Sequence, residues 1–314
     1  MLALLLAFTP FDQIEPPRAP IAAALFAPAG DSALVCSQDG VREIDWPTLA
    51  VRRRLAVDVA DPRAAAFSPS GDRLAVVGGR PAEAGAVAIL TWPSGEVVQR
   101  LPSRHDDSIT AVLWLDENRL ATASLDRRVL VRRVDGADVS PEIMEGHSKG
   151  ATALAALPGG EALVSAGVDA SVRVWAIEGG ELLRSLSLHI GPIHAVAVRP
   201  AADELPIVAS VGDDRTVRFW QPTIGRMVRF ARLPSPGLSA AWLPDGTRLA
   251  VGCRDGRVRL IDPLTVRVVA DLPAFDAWVD AVAVHPSGTA LLVGGPHGIA
   301  RHIRLPSLQG SAAE

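Results

Sequence analysis

Short apolar runs that alternate small and large side chains recur along the chain, and each one ends at a turn: "AALFAPAGD", "AAAFSPSGD", "AVLWLDEN", "ALAALPGGE", "AVAVRPAAD", "AAWLPDGT" and "AVAVHPSGT". Aligned on the turn, Pro28, Pro69, Asp116, Pro158, Pro200, Pro244 and Pro286 fall in one column, at intervals of 41, 47, 42, 42, 44 and 42 residues. The long interval holds an insertion, "GRPAEAGA", between the second and third strands of its unit. A period of this size fixes the architecture and has to be read before any local motif.

Each unit contains four segments. A first strand such as Ala195-Val196-Ala197-Val198 meets the turn, and a second, apolar strand follows ("IVASV", "ALVSAG", "RLATAS"). A tight turn holding Asp leads to a third strand ("TVRFW", "SVRVW", "RVLVR"), and a more polar fourth completes the unit ("GELLRSL", "GRMVRFA", "TVRVVADL"). Four short strands per unit of roughly 40–45 residues predict a β-propeller blade. The expected fold class is all-β, a seven-bladed β-propeller of four-stranded antiparallel blades. No stretch shows a sustained helical period with caps, so an α/β sheet would have no helices to cover it.

Length alone suggests roughly two domains, but all-β chains of this size often form one. Residues 11–314 are read as a single propeller. Residues 1–10, "MLALLLAFTP", form a short apolar segment, too short to span a bilayer. It lacks the basic region of a secretory signal and is either the remnant of one or a strand that docks on the fold, so the compartment, cytoplasmic or exported, stays open. Residues 11–17, "FDQIEPP", stand where other units have their outer strand, and the last unit ends after its third strand with "LPSLQG". Residues near 11–17 are therefore expected to pair with the last blade and close the ring, which removes open sheet edges.

Blades four and five carry polar residues at matching offsets: His147, Ser165, Asp169 and Trp175 in one, His189, Ser210, Asp214 and Trp220 in the other. On these residues the units resemble WD40 repeats. The resemblance implies that Asp in the tight turn bonds His, His bonds Ser, and Ser bonds the Trp N–H. The chemistry is sound in its own right, because a buried carboxylate needs donors and a buried indole N–H needs an acceptor. Charge-assisted bonds of this kind contribute about 1.5–3 kcal/mol each. Blade three keeps His105, Thr122 and Asp126 but has Arg132 in the tryptophan position, blade six keeps Asp255 with Ile261, and blade one keeps Asp39. The family's "WD" pair is nowhere literal, since Ala176 and Gln221 follow the two tryptophans, and Trp46 and Trp92 lie in turns after third strands.

Gly146-His147-Ser148-Lys149-Gly150 also fits the G-x-S-x-G pattern of a nucleophile elbow. An elbow is unique in its chain and is followed by a helix. Here the same slot 42 residues later reads Leu188-His189-Ile190-Gly191, without the serine, and a strand follows. Ser148 is therefore read as part of the repeat.

Charge narrows the function classes. The balance of 31 Lys+Arg against 35 Asp+Glu, a net of −4, removes the electrostatic drive of a nucleic-acid binder. Cys36 and Cys253 lack metal-ligand spacing and are expected to be buried. Enzymes on this fold gather their reactive groups where the inner strands begin. The column six residues before the aligned turn reads Ala22, Arg63, Thr110, Thr152, His194, Leu238 and Asp280. Only His194 and Asp280 suit a metal, fewer than zinc or calcium requires, so no cofactor is expected. His285, His297 and His302 are read as surface or turn residues.

The function this favours is a non-catalytic, monomeric scaffold that binds an unidentified protein or peptide across one face, without nucleic acid and without a membrane span. The alternative is a propeller hydrolase or lactonase with an axial channel site. In the family, the loops between outer and inner strands and the second-to-third-strand turns form one rim. The slot three residues past each His position reads Pro20, Asp61, Ser108, Gly150, Pro192, Pro236 and Trp278; the turn position before each Asp reads Gln38, Leu125, Val168, Asp213 and Arg254. Binding energy concentrates in Trp and Arg. Trp278 and Arg254 are the expected anchors, with Asp213, Leu125 and Val168 around them; the alternative for Trp278 is packing against blade six.

Overall fold

Apolar alternation of this kind folds into strands that bury one or both faces, and the computed structural model describes their arrangement over residues 18–135, 140–200 and 205–306. The strands form seven antiparallel sheets in which each strand pairs with its neighbours in sequence. Six sheets have four strands, and the seventh, Ala281–Val284, Ala290–Gly294 and Ala300–Arg304, has three among the described residues. The first strands follow one another around a ring, and that of blade seven lies against that of blade one, Ile21–Phe26. One 3-10 turn, Pro296–Gly298, is the only helical element among the described residues. No helix among them is long and apolar enough to cross a membrane.

Burial follows the strand order. Second strands such as Ser32–Ser37 and Leu249–Cys253 are buried at every position, because sheets cover both their faces. Fourth strands face solvent, and Leu182–Leu186 is exposed at all but its last residue. The core is accordingly divided into clusters between blades: Val164, Ala166, Val172 and Val174 of blade four pack with Ile193, Val196, Val208 and Trp220 of blade five. Cys36 and Cys253 lie in such clusters as free thiols, and burial pushes their pKa values up to about 12 and about 11.

The sequence pattern did not show how the ring joins blade seven to blade one. The Ile21 amide donates to Gly295 O at 3.1 Å, Arg42 Nη2 donates to Gly298 O at 3.1 Å, and His285 Nε2 lies 3.1 Å from Gly30 O. Trp46 of blade one stacks on His285 at 5.5 Å and meets the edge of His302 at 4.5 Å. His285 and His302, read from sequence as surface or turn residues, are thus part of the seam. The apolar residues 1–10 and the closing segment expected at 11–17 lie outside the described residues.

Candidate functional site

In blade four, Trp175 Nε1 donates to Ser165 Oγ at 2.8 Å, His147 Nε2 lies 2.7 Å from the same oxygen, and His147 Nδ1 lies 3.0 Å from Asp169 Oδ2. Blade five repeats this with Trp220, Ser210, His189 and Asp214 at 2.8, 2.7 and 2.8 Å. A carboxylate facing Nδ1 places the proton there, so Nε2 accepts from the serine hydroxyl, which in turn accepts from the indole. Burial pushes both imidazoles below their usual range, against the pull of the aspartates. Burial would also raise Asp169 and Asp214. The hydroxyls of Ser171 and Thr216 and the imidazoles outweigh it and hold both carboxyls below the ordinary carboxylate range.

The incomplete blades solve the same problem with different residues. In blade three, His105 lies 2.8 Å from Asp126 and 3.0 Å from Thr122. Arg132 fills the tryptophan slot at 7% exposure, with Nη1 donating to Pro102 O at 2.9 Å and neither Nε nor Nη2 partnered. Burial, with Arg104 nearby, brings its pKa down to about 10. Blade six has no imidazole, and Arg259 supplies the donors: Nη2 and Nη1 reach Asp255 at 2.7 and 3.0 Å. Sequence reading missed Arg259. Its signal was the shared spacing, since Arg173 and Arg218 also stand four residues past their aspartates.

These networks sit beneath one rim. The amides of Leu125, Val168, Asp213 and Arg254 donate to the carbonyls of Ser108, Gly150, Pro192 and Pro236 at 2.9–3.1 Å, so each turn is bonded to the loop that enters its own blade. Leu125 and Val168 are half-buried, and Leu125 leaves no room for a Cβ on Gly150 of the next blade. Asp213 Oδ1 accepts from Arg254 Nη2 at 2.7 Å and faces His194 Nε2 at 3.0 Å. Trp278 is 39% exposed, while the adjacent Val279 amide donates to Cys253 O of blade six. Gly256, at φ +76°, lets this loop approach: a Cβ there would stand 2.0 Å from Phe275 O. Ile190, at 89% the most exposed large apolar residue described, donates its amide to Asp214 Oδ2 at 3.4 Å, precedes Gly191, which packs against Asp213 on the same rim, and was not singled out from sequence.

Inside the rim, Ala22, Arg63, Thr110, Thr152, His194, Leu238 and Asp280 together line a cavity of about 460 Å³ at the channel mouth. Their convergence has a backbone cause. In six blades the pairing of the first and second strands shifts register around this residue, as between Ile193 and Ala195, and such bulges re-aim a side chain. Arg63 pairs with Asp61 at 2.8 Å. Thr110 and Thr152 direct their hydroxyls to Ala151 O and Ile193 O of the following blades at 2.7 and 2.6 Å. Burial raises the Asp280 carboxyl above its usual range, opposed by the Trp278 indole and, through space, by His194 and Arg254.

The profile of the family described as "WD domain, G-beta repeat" matches residues 140–176, 180–221 and 237–262, which lie in blades three to six. The chain is 27% identical over 217 residues to WD repeat-containing protein VIP3 of Arabidopsis thaliana, covering 63% of this chain and 67% of that protein. It is 30% identical over 122 residues to THO complex subunit 3 of Arabidopsis thaliana, 38% of each chain. It is 24% identical over 187 residues to Pre-mRNA-processing factor 19 of Bos taurus, 57% of this chain and 36% of that one. The chain thus spans two thirds of the first relative's length and well under half of the other two.

Proposed function

Given that this chain is a WD40-repeat β-propeller, we propose that it is a non-catalytic scaffold that holds another protein or a peptide against the channel face. The observation that carries this is the rim of blades five to seven, where Ile190, Arg254 and Trp278 stand exposed on backbone that is bonded turn to loop. A rigid support with exposed Trp, Arg and Ile is what a binding surface requires, since little ordering entropy is lost on contact.

In this reading the chain acts as a monomer and binds no nucleic acid, the latter in keeping with its net charge of −4. The reading as a scaffold rather than a hydrolase rests on access. Ser165 and Ser210 are fully buried and each accepts an indole N–H, so no substrate carbonyl reaches them. Ser148 is exposed, but both ring nitrogens of its neighbour His147 are taken by Asp169 and Ser165. A pull-down comparing the wild type with a Trp278→Ala/Arg254→Ala double variant tests the assignment. Loss of partners from a folded variant is expected; a folded variant that keeps every partner would overturn it.

A further inference from the structure

One carboxylate at the channel mouth lacks a neutralising partner. Asp61 has Arg63, and Asp213 is shared by Arg254 and His194. Asp280 has no arginine or lysine at bonding distance among the described residues; the nearby Trp278 indole favours its ionised form, and His194 and Arg254 act on it only from a distance. With Asp61 and Arg63 cancelling, Asp280 leaves the cavity lining one negative charge in surplus.

The two threonines of the lining point the same way. Thr110 and Thr152 spend their single hydroxyl protons on neighbouring carbonyls, so they keep only acceptor capacity. Leu238 adds an apolar wall, and Trp278, exposed and two residues before Asp280, has its indole near enough to act on that carboxyl. Acceptors, a surplus carboxylate and an aromatic ring near that carboxylate suit a cation on an aliphatic stem. A cleft with low-dielectric walls also concentrates the field of that carboxylate.

We propose that the channel mouth receives one basic side chain of the bound partner, a lysine ammonium or arginine guanidinium, which pairs with Asp280 while its stem passes Trp278. The proposal rests on the reading of this face as the binding face and adds the chemistry that selects what enters it. The cavity of about 460 Å³ accommodates one such side chain.

The test uses the full chain and the capped tripeptides Ac-Gly-Lys-Gly-NH2 and Ac-Gly-Arg-Gly-NH2, with the glutamine and glutamate tripeptides as controls, followed by the Trp278 indole resonance in NMR titrations. Saturable shifts with the basic peptides and none with the controls are expected. Asp280→Asn, which keeps the shape and removes the charge, should weaken binding about thirtyfold or more. Leu238→Lys, which introduces a cation from blade six, should block binding even where Asp280→Asn folds poorly. Equal binding of the glutamine peptide, or unchanged binding in both variants, would overturn the proposal. Butylammonium binding more tightly than the peptides would overturn the assignment to a partner's side chain. If pull-down partners are lost from Trp278→Ala/Arg254→Ala but retained by Asp280→Asn and Leu238→Lys, the binding face stands and the cation inference falls.

Discussion

The Asp213 carboxylate of blade five lies 2.7 Å from the Arg254 guanidinium of blade six, an ion pair that bridges two blades on the channel face. Arg254 is 51% exposed and Asp213 32%, so water screens the pair. A pair of this kind contributes about 0–1 kcal/mol to stability. Arg254→Ala is therefore expected to leave the urea midpoint nearly unchanged. A loss well above that range would mean that the bridge holds the ring together and is not a surface feature.

The buried networks behave in the opposite way. Removing the Asp169 or Asp214 side chain strands an imidazole N–H and a loop amide, those of His147 and Ser148 in blade four and of His189 and Ile190 in blade five. Asp169→Ala or Asp214→Ala should cost about 2–4 kcal/mol in equilibrium unfolding. Ser148→Ala should be nearly silent, because only its backbone amide takes part. Appearance of an esterase activity that Ser148→Ala abolishes would restore the nucleophile reading.

The same groups predict acid sensitivity. His147 and His189 titrate lower in the folded state than in the unfolded chain, where the value is about 6.5. Below that pH the unfolded chain binds more protons, so stability falls with pH. Asp169 and Asp214 are also depressed, and their contribution, present above about 3.9, is lost as pH falls further. Unfolding free energy should thus decline in two stages, near pH 6 and below pH 4. In a His147→Gln/His189→Gln variant the first stage should shrink, and an unchanged slope between pH 7 and 5 would exclude the imidazoles as its source.

What the sequence made legible was whatever repeats. Alternation marked the strands, the turn column set the blade boundaries, and seven of the ten residues that line the channel mouth could be named by counting back six positions. Contacts without a repeat were not legible. Trp46 meets His285 and His302 across the seam where the first and last blades adjoin, and no local pattern reports a contact between residues so far apart in sequence. Arg259 was hidden for a different reason: it replaces histidine as donor to Asp255 from another strand, so matching residue types column by column passes over it.

Ring closure by the N-terminal segment is a proposal that the seam makes testable. Blade seven has three strands among the described residues, and its outermost, Ala300–Arg304, is largely exposed. If residues near 11–17 complete this blade, deleting residues 1–17 uncovers a strand edge beside blade one. The truncated chain should melt at a lower temperature than the full chain. An unchanged melting temperature would refute the proposal.

Arg132 offers a change in the stabilising direction. It pairs with Leu120 across its sheet as Trp175 pairs with Leu163 and Trp220 with Val208, so the backbone slot matches that of the two tryptophans. The guanidinium is buried with Nε and Nη2 unpartnered, and each such donor is costly. Arg132→Trp replaces them with one N–H aimed toward the position of Thr122 Oγ1, which already faces His105, and completes a third network. The loss of the bond to Pro102 O offsets part of the gain. A net stabilisation of about 1–2 kcal/mol is expected in urea unfolding. The gain should disappear when Thr122→Val removes the acceptor, and a folded Arg132→Trp protein less stable than wild type would show that the slot in blade three has been reshaped around its arginine.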